Sequence, residues 1–388
     1  MSNKNIINYK VGQKNHDIEI TNNIIQTIKK KINLLKSDSK IFFVYDKNID
    51  KKIVNEIFLG LKLSGCKIYK KEISTLKVNK NLKAVISLID EFSEKSLTKK
   101  SVVIGCGGGV LGDVTALAAS LYRRGLIYLN IPSTMTAIVD SSVGGKTAIN
   151  HLNQINLIGT YFHPTSVIIY SKILTGLPDR EYKSGLAEVL KCAILKKNKL
   201  INIIEKDAKK ILSRDSKLLK ILILNSLKIK IGFFLKDIYE ENNRLKLNFG
   251  HTFAHAYEMA TDEMINSDYL RHGEAVALGI ISEIVLSYLE TKSKNQKKKI
   301  NEVLVRVKKI LENLLLPIKL NVPSKIDNSQ LSKLIYYYVF KDKKKISPKP
   351  RYIKLTNLGE ISVSEINDFD NISKVIYYIL NDIDINEF

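Results

Sequence analysis

The chain has 388 residues, 45% of them hydrophobic and 26% charged, which is enough to build two packed domains and too apolar for a disordered chain. A formal net charge of +23 would suit a polyanion, but the lysines run along the whole sequence beside abundant Ile and Asn. The expectation is therefore a solvated basic surface that helps to draw in an anionic small molecule, with no nucleic-acid partner. No apolar run reaches membrane-spanning length and MSNKNIINYK lacks a signal peptide's apolar stretch, so no membrane partner is expected; Cys66, Cys106 and Cys192, scattered and odd in number, fit reduced thiols in a cytoplasm.

In chain order, KIFFVYDKN (40–48) and SVVIGCGGG (101–109) are β-branched runs that end in turn residues, as buried parallel strands do. Residues 49–65 and 80–96 between them carry helical spacing of apolar positions, and IYLNIPS (127–133) and SVIIYSK (166–172) add two more strands. Strands alternating with helices predict an α/β, Rossmann-like N-terminal domain with a mostly parallel sheet over residues 1–172. Beyond it the texture turns helical. REYKSGLAEVLKCAILKKNKLINIIEKDAKKIL, SKLLKILILNSLKIKIGFF and EAVALGIISEIVLSYLE (274–290) predict an all-α C-terminal domain over 173–388. Residues 294–311 predict an amphipathic helix whose lysine run is a solvated face.

Several stretches carry chemistry. GCGGGVLGDVTALAAS (105–120) leaves a strand and opens a helix, so its glycines allow close backbone approach and its free N–H groups favour a phosphate. A nucleotide pyrophosphate is the natural guest there, although a tight structural turn accounts equally for the glycines. DSSVGGKTAIN (140–150) holds Asp140, Lys146 and Asn150 in a second glycine loop; the spacing of an ATP-binding loop fails, and a lysine beside an aspartate suits a polyhydroxylated anion. GLAEVLK sets Glu188 and Lys191 three apart, which read alone is an ordinary exposed ion pair. NFGHTFAHAYE stacks His251 and His255 one helical turn apart, and RHGEAV offers His272 at the start of a further helix. One carboxylate plus histidines from neighbouring helices, with a position left open, is the recipe for a catalytic divalent site; partly buried, hydrogen-bonded histidines are the plain alternative. Lys230 and Arg244, upstream of the histidines with Asn248, suit a carboxylate, the arginine bidentately.

Taken together, GGGVLGD, RRG, DSSVGGKTAIN, LPDREYKSGLAEVLK, RLKLNFGHTFAHA and HGEAV, in this order, resemble 3-dehydroquinate synthase of the sugar-phosphate cyclase superfamily, over about residues 101–280. The resemblance implies an NAD-dependent carbon–oxygen lyase with one divalent metal, zinc or cobalt, in its helical domain. It also implies conversion of 3-deoxy-D-arabino-heptulosonate 7-phosphate to 3-dehydroquinate, a step of the shikimate pathway to aromatic amino acids. By position, Glu188, His251 and His272 would bind the metal, and Asp140, Lys146, Lys191 and His255 would surround the substrate hydroxyls. Lys230 and Arg244 would hold the carboxylate. Asn156, Asn248 and Lys344 would meet the phosphate, with Arg124 reaching in from the second subunit of a homodimer. Asp46, Lys80, Gly108, Gly109, Gly112, Asp113, Ser133, Thr134, Asp140, Ser141 and Lys146 would line the NAD site. The histidine pair then divides its labour, one ring on the metal and one on the substrate. Hydride loss to NAD, elimination of phosphate with the substrate's own phosphate taking the proton, hydride return, ring opening and aldol closure leave no net redox change.

Three departures keep alternatives open. Ile155 stands where the family usually carries a lysine that lies near the nicotinamide, and Lys77 stands where an acidic residue is expected near the ribose. The segment between His255 and His272 is longer than usual. LAASLYRRG is similar to the branch that cyclises sedoheptulose 7-phosphate, but a substrate without a carboxylate has no use for the Lys230/Arg244 pair. A sibling cyclase, a metal-dependent polyol dehydrogenase that makes net NADH, and a non-catalytic relative are the competing readings.

Overall fold

Four of the strands expected from β-branched runs form the middle of one sheet. The structure is a computed structural model that describes residues 5–35, 40–74, 79–152, 154–197, 199–266, 268–341, 349–381 and 383–387. It divides into two compact units, residues 1–182 with 219–231, and residues 183–218 with 232–388. Lys77 and Lys344 lie outside the described residues.

In the first unit the hairpin β1 (Ile6–Val11) and β2 (Lys14–Thr21) precedes α1 (Ile24–Leu34), β3 (Lys40–Asp46), α2 (Lys51–Lys62), β4 (Lys67–Ile73) and α3 (Leu82–Glu94). Then come β5 (Val102–Gly107), α4 (Gly109–Leu121), β6 (Ile127–Pro132), the hairpin β7 (Lys146–His151) and β8 (Gln154–Tyr161), and β9 (Ser166–Tyr170). The seven-stranded sheet runs β1-β2-β9-β6-β5-β3-β4. It is parallel except for the β1–β2 pair. Ile41, Phe42, Phe43 and Val44 of β3 and all of β5 are buried, as strands covered on both faces require. Asn23, Asp50 and Asn81 start α1, α2 and α3 by accepting from the N–H groups of Gln26, Lys52 and Ala84. From β3 the chain goes out to β4 and returns to β5 on the other side of β3. The C-terminal ends of β3 and β5 therefore flank a topological switch point, where open α/β sheets bind ligands.

The second unit is helical. It comprises most of α5 (Asp179–Leu195), then α6 (Leu200–Lys206), α7 (Ala208–Leu212), the ends of α8 (Ser216–Phe234), α9 (His251–Met264), α10 (His272–Leu289), α11 (Lys294–Asn313), α12 (Asn328–Lys341) and α13 (Asp370–Asn381). The first expected helical pattern is three helices. Apolar spacing runs on through its breaks, yet Asp207 takes non-helical angles between α6 and α7. The unit also carries a hairpin, β10 (Arg351–Asn357) and β11 (Glu360–Glu365), beyond the helices that periodicity gave. Two strands alone are marginal. Here α10 completes them: buried Glu283 accepts the Ile353 N–H at 2.9 Å and Ser287 the Leu355 N–H at 3.0 Å.

Among the described residues α10 is long and apolar enough to cross a membrane by length and composition, but 78% of it is buried inside this protein, so it is a core helix. Val276, Leu278, Ile280, Ile281, Ile284, Val285 and Leu286 are all fully buried. Each such side chain stabilises the fold by about 1.5–3 kcal/mol. The lysine-rich α11 buries Ile300, Val303, Leu304, Val307, Ile310 and Leu311 along one stripe and turns most of its lysines to water, with Lys297 and Lys308 half-buried over Tyr288 and Tyr378.

Candidate active site

The first unit brings two glycine loops together in a cradle at the ends of β5 and β6. Gly108 caps α4 without a side chain, and an added Cβ there would stand 3.2 Å from Thr134. A Cβ on Gly109 would stand 3.1 Å from the Ser141 hydroxyl. The two glycine loops thus pack against each other, and the Ser133 N–H donates to the Gly107 carbonyl at 2.9 Å. Gly108, Gly109, Ser133, Thr134 and Ser141 come together there around the exposed N–H groups of a helix start. Gly112 lies one turn into α4. Asp46, at the end of neighbouring β3, is buried and accepts the Asn48 N–H.

Lys80 ties this cradle to the β7–β8 hairpin. Its ammonium is 2.6 Å from the Asp113 carboxylate and donates to Asn156 Oδ1 at 2.6 Å. Burial pushes the Asp113 carboxyl up, and Lys80 offsets part of that. Asn156 is exposed and takes a left-handed φ of 55°, held by its N–H on Asn150 Oδ1. Asp140 sits on a single π-helical turn, Ala137–Ser141, and Lys230 donates to its carbonyl and its carboxylate, both at 2.6 Å. Lys146 is exposed after Gly144 and Gly145, which both have positive φ. Arg123 and Arg124 are also exposed, with consecutive left-handed φ values of 49° and 61°. Two such non-glycine residues in a row are strained.

The second unit gathers the metal-ligand candidates. Gly273 at the start of α10 has its N–H on Ser184 Oγ at 2.9 Å, which sets α10 against α5 one turn before Glu188. Gly250 takes a φ of 82° before α9, and the Gly250–Gly279 approach leaves no room for a Cβ on either residue. These close contacts bring Glu188, His251 and His272 together, with one donor atom from each within 4.8 Å of the others. Each histidine Nε2 is 3.5 Å from Glu188 Oε1. A tetrahedral ion with bonds of about 2.0–2.2 Å spaces its donors roughly 3.3–3.6 Å apart, so the trio fits one such cation. Both carboxylate oxygens of Glu188 are buried without an aligned hydrogen bond, although the Lys191 ammonium is 2.5 Å from Oε2. Oxygens left so are what a metal ligand offers. The Glu188–Lys191 pair is thus buried, not the exposed pair its spacing suggests by itself.

The electrostatics prepare Glu188 and His251 as donors, whereas His272 holds a proton that a cation must displace. Burial raises the Glu188 carboxyl, but Lys191 and the two imidazoles overcome it and hold the group well below its ordinary range. Burial, with Lys191 beside it, lowers His251 to about 4. Burial also acts to lower His272, yet the Glu258 and Glu188 carboxylates carry it up to about 10. His251 Nδ1 faces the Phe249 carbonyl at 3.2 Å, which leaves Nε2 for a ligand. His255 packs edge-on against His251 with ring centroids 5.5 Å apart, outside the ligand trio.

Arg244 and Asn248 share one 3-10 turn, Asn243–Asn248. Arg244 is buried over the Phe234 ring and donates to the Ile238 carbonyl at 2.7 Å. Asn248 donates to Glu240 at 2.9 Å. Motif reading missed Glu240 and Glu258, the carboxylates that Asn248 and His272 face. For Glu258 the signal was present: with His251 and His255 it makes an i, i+4, i+7 face.

Comparison with known proteins agrees across the chain. The family model described as 3-dehydroquinate synthase N-terminal matches residues 71–184, and that described as 3-dehydroquinate synthase C-terminal matches residues 185–345. The 3-dehydroquinate synthase of Dictyoglomus thermophilum is 38% identical over 302 residues, which is 77% of this chain and 79% of that protein. The solved structure of a 2-deoxy-scyllo-inosose synthase with carbaglucose-6-phosphate, NAD+ and Co2+ superposes with a TM-score of 0.81 at 21% identity, covering 97% of this chain and 100% of that one. ValA, a 2-epi-5-epi-valiolone synthase from Streptomyces hygroscopicus with NAD+ and Zn2+, does so with a TM-score of 0.80 at 20% identity, covering 96% and 98%.

Proposed function

Because the chain belongs to the 3-dehydroquinate synthase family, we propose that it cyclises 3-deoxy-D-arabino-heptulosonate 7-phosphate to 3-dehydroquinate and releases phosphate. The observation that carries this reading is the trio Glu188, His251 and His272, spaced for one divalent cation with His255 beside it. It requires NAD and one divalent metal, zinc or cobalt, and is a carbon–oxygen lyase. When bound, NAD accepts and returns a hydride, and the cation draws electron density from oxygen.

The chain's own residues do the rest. The amides of Gly108, Gly109 and the first turn of α4 receive the pyrophosphate, with Gly112 leaving clearance and Ser133, Thr134 and Ser141 closing the cradle. Asp46 takes a ribose hydroxyl, and Lys80 with Asp113 fixes the neighbouring wall. Glu188, His251 and His272 hold the cation, and Lys191 keeps Glu188 ionised. Asp140, Lys146, Lys191 and His255 orient the hydroxyls. Lys230 and Arg244 bind the carboxylate, and this pair is the support for a carboxylated substrate over a sedoheptulose phosphate. Asn156, Asn248, Lys344 and the partner subunit's Arg124 meet the phosphate. The strained, exposed Arg123–Arg124 turn and the exposed Leu121, Ile155, Leu157 and Tyr161 of the same unit support a homodimer. A cytoplasmic location accords with cysteines that are all unpaired.

The departures at Ile155 and Lys77 bear on how NAD is held. A substrate panel tests the reading: phosphate is released from the heptulosonate phosphate, whereas release from sedoheptulose 7-phosphate alone makes the chain a sibling cyclase.

A further inference from the structure

We propose that Glu258 is a positioning residue of the metal site, whose carboxylate holds His272 with its proton on Nδ1 and so makes Nε2 the donor atom facing Glu188. The inference rests on the reading that Glu188, His251 and His272 hold the cation. Glu258 is buried at 6% exposure, and its Oε2 lies 3.1 Å from His272 Nδ1. The opposite ring nitrogen, Nε2, is 3.5 Å from Glu188 Oε1. A neutral imidazole has one donor and one acceptor nitrogen, so donation from Nδ1 leaves the Nε2 lone pair for a ligand.

The need for this support follows from local structure. His272 is the first residue of α10, preceded by Arg271 in extended backbone, and its ring is 36% exposed. The ring stands against those of His251 and His255, with centroids 5.4 and 6.3 Å away, and such ring contacts do not decide which nitrogen carries the proton. Glu258 supplies the missing restraint from α9, on the face that also carries His251 and His255. The two imidazoles are therefore unequal. His251 donates to a neutral backbone carbonyl, whereas His272 donates to a carboxylate, a charge-assisted bond about twice as strong. The carboxylate also makes the His272 ring the more basic ligand. Charge balance points the same way: beside the buried Lys191, Glu188 alone leaves the ligand set neutral, and Glu258 adds the negative charge that draws a dication.

The test compares cobalt and zinc dissociation constants, measured by chelator competition, for the full-length protein and for the Glu258→Gln, Glu263→Gln and Glu188→Gln variants. Glu263 lies on the same helix, but its carboxylate binds the Tyr338 hydroxyl. Glu258→Gln is expected to bind metal about 10–100-fold more weakly. It should also shift the visible absorption of the cobalt form, while Glu263→Gln matches wild type. Wild-type affinity in Glu258→Gln, with binding lost in Glu188→Gln, overturns this inference alone. Unchanged binding in Glu188→Gln overturns the ligand-trio reading and this inference with it. A measurement that needs no variant is the nitrogen–proton correlation spectrum of the imidazoles in the zinc-loaded wild type. A proton on His272 Nδ1 supports the proposal, and a proton on Nε2 overturns it.

Discussion

Gly273 stands so close to Ser184 that a Cβ added to it falls 1.7 Å from the Ser184 carbonyl oxygen. That contact presses the start of α10, with His272, onto the helix that carries Glu188. Gly273→Ala must push the helices apart. It is expected to destabilise the protein by about 1–3 kcal/mol, the usual cost of overpacking. Cobalt affinity should fall with it, because the 3.5 Å spacing of His272 Nε2 from Glu188 opens. Urea denaturation and a cobalt titration read the two effects; an alanine variant with wild-type midpoint and affinity contradicts the packing account.

His251 and His255 are expected to separate by function. His255→Ala keeps metal affinity within a few-fold and loses turnover, since its ring stands beside the trio and not in it. His251→Ala loses metal affinity by at least about 100-fold, beyond the range of an outer-shell change. Equal metal loss in both variants restores the simpler idea that the two rings on one helical face are both ligands.

Lys230 clamps Asp140 on its π turn and is assigned to the substrate carboxylate. Lys230→Met should leave folding intact and lower kcat/KM for the heptulosonate phosphate by at least about 100-fold, or about 2.7 kcal/mol of transition-state binding. Steady-state phosphate release measures it. An unchanged kcat/KM removes Lys230 from the carboxylate site.

Asp237 carries the pH prediction. Its partial burial acts to raise the carboxyl, but the N–H groups of Glu241, Arg244 and Asn242 outweigh this and hold it below the usual aspartate value. A group whose folded pKa is depressed contributes stability above its unfolded pKa, about 3.9, and loses it as pH falls through the folded value. Asp237→Asn should therefore be less stable than wild type near neutral pH, with the gap closing as pH drops below about 4. Denaturant midpoints across that range provide the check. A gap that does not change with pH means the charge on Asp237 contributes nothing.

The sequence was informative where burial and chemistry coincide. Strands β3, β5, β6 and β9 are apolar on both faces, so their composition betrays them. β4 is an edge strand interrupted by Lys67, Lys70 and Lys71, and β8 is exposed along most of its length, so neither shows an apolar run. The β10–β11 hairpin is completed by Glu283 and Ser287 of α10, a long-range dependence that local periodicity cannot contain. The candidate ligands Glu188, His251 and His272 were readable because each sits in a dense motif. Glu258 shares the helical face of His251 and His255, but that spacing carries a role only once its distance to His272 is known.

Phosphate release from 3-deoxy-D-arabino-heptulosonate 7-phosphate, followed together with NADH absorbance while NAD and metal are each omitted in turn, tests the central claim most directly. Release should need both cofactors, proceed through many turnovers with catalytic NAD, and leave no NADH behind. Stoichiometric NADH accumulation, or undiminished release without metal, would contradict it.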